Sequence, residues 1–189
     1  MSYCSTIAAP PSSNEQVWGN IDLQSRTLRN LFGSYPTGVA IVTTRAPDGR
    51  PVGLTISSFA SLSLEPPLVL WSLGVQSSNL DVFRDCEHFT INVLDRRDEE
   101  LARQFSNSRI QDKSAGVDID ETPEGVPAIA SALTILVCAH DDSRIVGDHL
   151  LMIGRVVRTA SRPGEPLVFH AGRFTTLPAV EGTGSSGRQ

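Results

Sequence analysis

Hydroxyl side chains crowd one short stretch of this chain. In Gly53-Leu54-Thr55-Ile56-Ser57-Ser58-Phe59-Ala60-Ser61, they belong to Thr55, Ser57, Ser58 and Ser61. Read as a strand, the stretch places Thr55, Ser57 and Ser61 on one face and Ser58 and Ala60 on the other. Hydroxyls and backbone N–H groups at this density can surround an anion, or the polar edge of a flat ring, without a formal positive charge. A strand with one polar, solvent-facing side has the same composition, so the segment alone leaves both readings open. Ser72 and the pair Ser77-Ser78 follow. Serines at a helix start either join its free N–H groups as an anion site or serve as plain N-caps. His88, His140 and His170 have no metal-ligand spacing, and no metal site is expected. No Ser-His-Asp arrangement is apparent.

A mainly β chain has to position these groups. Leu23, Leu28, Leu31 and Phe32 recur at helical spacing between Ile21 and Tyr35, and Gly33 and Pro36 stop that helix. Gly38 to Arg45 reads as a strand, Pro47-Asp48-Gly49 as a turn, and Pro51 to Ser61 as the partner strand. Beyond the Glu65-Pro66-Pro67 turn come a strand at Leu68 to Leu73 and a helix near Ser78 to Arg84. A strand at Phe89 to Leu94 and a helix from Asp98 to Phe105 with an acidic first turn follow. Ser106 to Pro127 reads as a polar surface excursion, long enough for a lid or a poorly ordered loop. Ile129 to His140 and His149 to Arg158 are long strands joined by Asp141 to Asp148, and Leu167 to His170 closes the set. Hairpin-connected strands with a few peripheral helices predict a mainly β fold, an antiparallel barrel closed or nearly so. The chain lacks regular strand–helix alternation and a Gly-x-Gly-x-x-Gly turn, which argues against a doubly wound dinucleotide domain.

The 189 residues, 40% hydrophobic and 20% charged, suit one domain better than two. A net charge of -5 argues against nucleic acid as a partner. Lys113 is the one lysine, so cationic chemistry falls almost entirely to arginine, the residue of bidentate carboxylate and phosphate pairing. No apolar run approaches bilayer length, and the first residues lack the features of a secretory signal, so no membrane association is expected. Cys4, Cys86 and Cys138 are too widely spaced for a disulfide framework or a zinc site. Cys86 and Cys138 read as buried small hydrophobes, and a reducing, cytoplasmic location is expected. Residues 1–20 and the Gly- and Ser-rich residues 179–189 read as disordered flanks of a domain spanning 21–178.

Several motifs occur together in a specific order. They are Pro36-Thr37-Gly38-Val39-Ala40-Ile41-Val42-Thr43-Thr44, Asp48-Gly49-Arg50-Pro51-Val52-Gly53-Leu54-Thr55, Ser58-Phe59, Ser63-Leu64-Glu65-Pro66-Pro67-Leu68-Val69-Leu70 and Gly147-Asp148-His149. This pattern, from about Leu28 to Phe174, resembles the flavin reductase family, the reductase components of two-component flavin-dependent monooxygenases. The resemblance implies an FMN-binding split β-barrel of Greek-key type, paired as a homodimer with flavin sites near the subunit interface. It also implies reduction of FMN or FAD by NADH or NADPH, with reduced flavin passed to a separate monooxygenase.

Carried over by position, Thr55, Ile56, Ser57, Ser58 and Phe59 would line the flavin ring and ribityl chain, with Ser72 in the same set. Ser77 and Ser78 would hold the phosphate, and Pro36 and Thr37 would approach the ring. Phe105 and Ser106 stand where the family ends a helix beside the flavin. His149 corresponds to a residue associated with the nicotinamide nucleotide. It is the one catalytic assignment, as a positioning group and not a proton donor. Arg173, before Phe174, would approach the same substrate or pair with Glu165. Two departures stand out: Ser57 replaces a common Asn, and Gln76 replaces a basic residue, with Arg84 as its candidate substitute. Flavin and nicotinamide carry the hydride chemistry, so no nucleophile or acid–base pair is demanded. The rival readings are a non-catalytic flavin- or haem-binding barrel and a pyridoxamine-phosphate-oxidase-like enzyme. The latter needs a basic cluster for a second phosphate, which the sequence does not display.

Overall fold

The computed structural model describes residues 25–178. The expectations for residues 1–20 and 179–189, for Leu23 and for Cys4 lie outside the described residues. In chain order the elements are α1 (Ser25–Phe32), β1 (Thr37–Gly38), β2 (Ala40–Arg45), β3 (Pro51–Ile56), β4 (Ala60–Leu64), β5 (Pro67–Gly74), α2 (Leu80–Arg84), β6 (His88–Val93), α3 (Glu99–Ser106), β7 (Ile119–Glu121), β8 (Pro127–Ile129), β9 (Thr134–Val146), β10 (His149–Ser161), β11 (Leu167–His170) and β12 (Arg173–Thr176). The strand pairs are antiparallel, and the expectation of a mainly β split barrel with peripheral helices holds.

Closure of the barrel follows from strand order. The principal sheet runs β3-β2-β6-β9-β10-β5-β4, so β3 and β4, consecutive in the chain, sit at its two edges. Laid flat, seven strands would separate those edges by about 29 Å. The link from Ile56 to Ala60 can reach at most about 15 Å. The sheet must therefore curl until its edges approach.

This geometry corrects the reading of Pro51 to Ser61 as one strand. Pairing with β2 ends at Ile56 opposite Ala40, and Ala60 then pairs with Leu70 of β5. Ser57, Ser58 and Phe59 lie in the crossing between sheet edges, where two-residue alternation no longer assigns faces. The hairpin before β3 is as expected. Ala46 N donates to Arg50 O at 3.0 Å, and Gly49 takes φ +86, which glycine adopts without a Cβ clash.

Three further expectations change. β9 continues through Asp141–Val146, so the β9–β10 turn is only Gly147-Asp148; a register shift lets the ladder extend that far. Arg173 to Thr176 forms β12, a strand missed because it is short and mostly polar. The excursion after α3 folds back as the β7–β8 hairpin, ending in buried Val126, Ala128 and Ile129. A buried polar cluster anchors it: Thr90 Oγ1 donates to Pro127 O at 2.7 Å, Ile129 N donates to Asn92 Oδ1 at 2.8 Å, and the Thr43 and Thr90 hydroxyls touch.

β2 lacks polar alternation because both of its faces are covered. Ala40 and Val42 enter the barrel core with Trp71, Phe83, Phe89 and Met152, while Val39 and Ile41 join Leu94, Phe105, Ile129 and Leu167 outside it. Trp71 packs edge-on against Phe83 and Phe89, with ring centroids 5.2 Å and 5.7 Å away. Each such buried ring contributes about 2 kcal/mol or more. Cys138 is buried and Cys86 half-buried; burial pushes their thiols up to about 12 and about 11.

Candidate functional site

A cavity of about 960 Å³ opens between β3, the turn before α2 and the chain leaving α3. Five expected residues line it: Thr55, Ser77, Ser78, Phe105 and Ser106. An adjoining pocket of about 310 Å³ is lined by Ile56, Ser57, Arg103, Phe169 and Phe174 among others. Thr55 and Ser106 line both spaces and so form the ridge between them.

α3 sets that ridge. Its Ala102 and Phe105, three residues apart, share the buried face. Thr55 Oγ1 donates to Ala102 O at 2.7 Å, and the Phe105 ring covers Gly53. Ser106 Oγ donates back to Arg103 O at 2.9 Å. The pocket's far wall is aromatic, with Phe169 and Phe174 edge-on at 5.4 Å and the Arg103 guanidinium 5.0 Å from the Phe174 ring centre. Backbone bonds from Val39 N to Leu167 O and from Leu167 N to Leu94 O hang this wall on the barrel.

The serine pair sits differently from the expectation of a helix start. α2 begins at Leu80 with Asn79 in the cap position, so both serines precede it in a turn. Ser77 N donates to Gly74 O at 2.9 Å, and Ser77 Oγ accepts from Asn79 N at 3.2 Å. Ser78 is exposed on the cavity edge.

Other expected residues stand outside both spaces. Ser58 Oγ donates to Ser72 O at 3.2 Å and accepts from Ser72 N at 3.0 Å, a clasp between the crossing segment and β5. Phe59 packs on the barrel core. Pro36 is exposed, whereas Thr37 stands opposite Phe169, its Oγ1 buried and without a hydrogen-bond partner among the described residues. His149 Nδ1 lies 2.7 Å from Asp148 Oδ1, and that bond, aided by the imidazole's charge when protonated, holds the Asp148 carboxyl below its usual range. His149 pairs with Gly74, and Val75 N donates to Asp148 O at 3.0 Å, which stitches this turn to the rim formed by Leu73 and Gln76. Arg173 is exposed opposite His170 and makes no ion pair among the described residues. Glu165, its expected partner, is taken by Arg96 at 2.8 Å. Arg84 pairs with Asp81 and Asp85 and lies away from the cavity, so it does not replace the missing base at Gln76.

The lining is also less neutral than the hydroxyl pattern suggested. Arg50, Asp112 and Lys113 belong to it, brought in by the hairpin before β3 and by the excursion. Lys113 Nζ donates to Phe105 O at 2.8 Å, and Gln104 Nε2 bonds Lys113 O at 2.8 Å. Its singularity as the chain's lysine was the one available signal. The aromatic pocket wall left no comparable trace, because Phe169 and Phe174 look like ordinary strand residues.

Residues 32–178 match the family described as flavin reductase like domain. The chain belongs to the flavin reductase family. Among similar proteins, the FMN reductase (NADH) SmoA of Agrobacterium fabrum is 40% identical over 169 residues, covering 89% of this chain and 95% of SmoA. The flavin-dependent monooxygenase reductase subunit HsaB of Rhodococcus jostii is 37% identical, covering 82% of this chain and 79% of HsaB. The Streptomyces globisporus NADH:FAD oxidoreductase SgcE6, solved with NAD and FAD fragments, superposes with a TM-score of 0.80 at 33% identity, covering 87% of this chain and all of that one. The flavin reductase fold thus carries the cavity, the aromatic pocket and the Gly-Asp-His turn in one domain.

The residues present fit a flavin. An aromatic slot adjoins a larger hydroxyl- and amide-lined cavity with two cations, a match for a flat ring bearing a polar, phosphorylated tail. No helix among the described residues is long and apolar enough to cross a membrane.

Proposed function

We propose that this protein is an NADH-dependent flavin reductase that supplies reduced FMN or FAD to a separate flavin-dependent monooxygenase. The observation that carries this is the ridge of Thr55 and Ser106, which joins an aromatic slot to a polar cavity within the residues matching the family. Flavin and nicotinamide, when bound, supply the hydride transfer between themselves. The chain's task is to hold the two rings in contact and exclude water. In this reading the ring would lie along Thr55, Ile56 and Ser57 against Phe169 and Phe174. Ser77 and Ser78 meet the tail. His149, oriented by Asp148 beside the cavity rim, and Arg173 on the β11–β12 hairpin position the nicotinamide nucleotide.

A second copy of the chain and a cytoplasmic location complete the proposal. Exposed Leu64, Ile145 and Val146 support pairing, and the free thiols of Cys86 and Cys138 suit a reducing compartment. The deciding assay mixes purified protein with NADH and free FMN, and loss of the nicotinamide absorbance is expected. Absence of turnover with FMN, FAD and riboflavin under both NADH and NADPH overturns the reading.

A further inference from the structure

Lys113 is the only lysine in the chain, and it stands on the cavity wall. Its half-buried ammonium donates to Phe105 O at 2.8 Å, leaving further N–H donors uncommitted by that bond. No carboxylate pairs with it among the described residues, and burial pulls its pKa below the ordinary lysine value. Arg50, the cavity's other cation, differs: it holds Asp48 at 2.9 Å and its side chain is 62% exposed. A half-buried charge without a counter-ion is unfavourable, and an anion in the cavity would relieve it. Ser77, Ser78 and Asn79 line the same space and offer the neutral donors that an oxyanion also needs. Gln104 holds the Lys113 carbonyl, so the residue is braced from both its backbone and its side chain.

We propose that Lys113 reads the phosphate of the flavin nucleotide in this cavity, and so separates FMN and FAD from riboflavin. The inference rests on the flavin reductase reading above. Riboflavin ends in a neutral hydroxyl where the two nucleotides carry phosphate, so an ammonium contact favours only the nucleotides. A hydrogen bond to a charged group changes affinity by roughly tenfold to a hundredfold.

The test is flavin binding, followed by fluorescence quenching of FMN, FAD and riboflavin on the wild type, Lys113→Gln and Lys113→Arg. Glutamine keeps a donor for the Phe105 carbonyl while removing the charge. Lys113→Gln should weaken FMN and FAD by roughly tenfold or more, leave riboflavin within about twofold, and be largely rescued in Lys113→Arg. Equal weakening of all three flavins would make Lys113 a brace for α3 and end the proposal. A raised KM for NADH with riboflavin as acceptor, at unchanged flavin affinity, would assign its anion to the nicotinamide pyrophosphate instead. A wild type that binds FMN no better than riboflavin would overturn it as well. A wild type that shows the nucleotide preference yet reduces no flavin would sink the reductase reading and leave the Lys113 assignment standing.

Discussion

The ring of Phe105 lies so close to Gly53 that a Cβ on Gly53 would stand 2.6 Å from Phe105 Cε1. This contact lets α3 sit flat across β3 and brings Thr55 and Ser106 together at the ridge between the two binding spaces. Phe105 is 2% exposed, so the ring has little room to withdraw.

Gly53→Ala should therefore lower stability by about 1–3 kcal/mol through overpacking, measured by urea unfolding. Flavin affinity should fall with it, because α3 moves away from Thr55. Shortening the ring with Phe105→Leu in the same chain should recover part of the loss in a double-mutant cycle. Additive losses would mean the two residues are not coupled.

Ser58→Ala should cost about 1–2 kcal/mol of stability, since it removes the acceptor for Ser72 N at the barrel's crossing segment. Its effect on flavin affinity should stay within about twofold, as befits a clasp outside both binding spaces. A large loss of flavin binding at unchanged stability would return Ser58 to the ligand.

His149→Ala should raise the KM for NADH by about tenfold while the Kd for FMN stays nearly constant. Asp148→Asn, which weakens the bond orienting the imidazole, should follow it in direction with a smaller effect. Steady-state kinetics alongside flavin titration separate the two quantities, and a matching loss of flavin affinity would contradict a nicotinamide role.

The Asp95 carboxylate is 2% exposed and accepts from Arg97 N at 3.0 Å, Nε at 2.8 Å and Nη2 at 3.1 Å. Hydrogen bonds from Arg97 outweigh the effect of burial and hold its pKa at about 2. A folded-state value below the unfolded one means the contribution is complete above about pH 4 and is lost as pH falls toward 2. Asp95→Asn should lower stability by about 1–3 kcal/mol at neutral pH and flatten the decline between pH 4 and 2. Urea midpoints of the two proteins across that window provide the check; parallel curves would refute the assignment.

Much was legible before folding because it depends on near neighbours in the chain. The Pro47-Asp48-Gly49 turn, the apolar run of β2 and the helix carrying Phe105 are local patterns, and local sterics and hydropathy decide them. The motif order also carried the family, since spacing along the chain is itself a sequence property. Three-dimensional closure decided the rest. Only the curling of the sheet breaks Pro51 to Ser61 into two strands and turns Ser58 inward to Ser72. Only the return of the excursion brings Lys113 to Phe105, and only the β11–β12 hairpin sets Phe174 beside Arg103. None of these contacts follows a helix or hairpin repeat, even where the two residues are near in the chain, and their geometry is set by how the barrel packs, which no local pattern records.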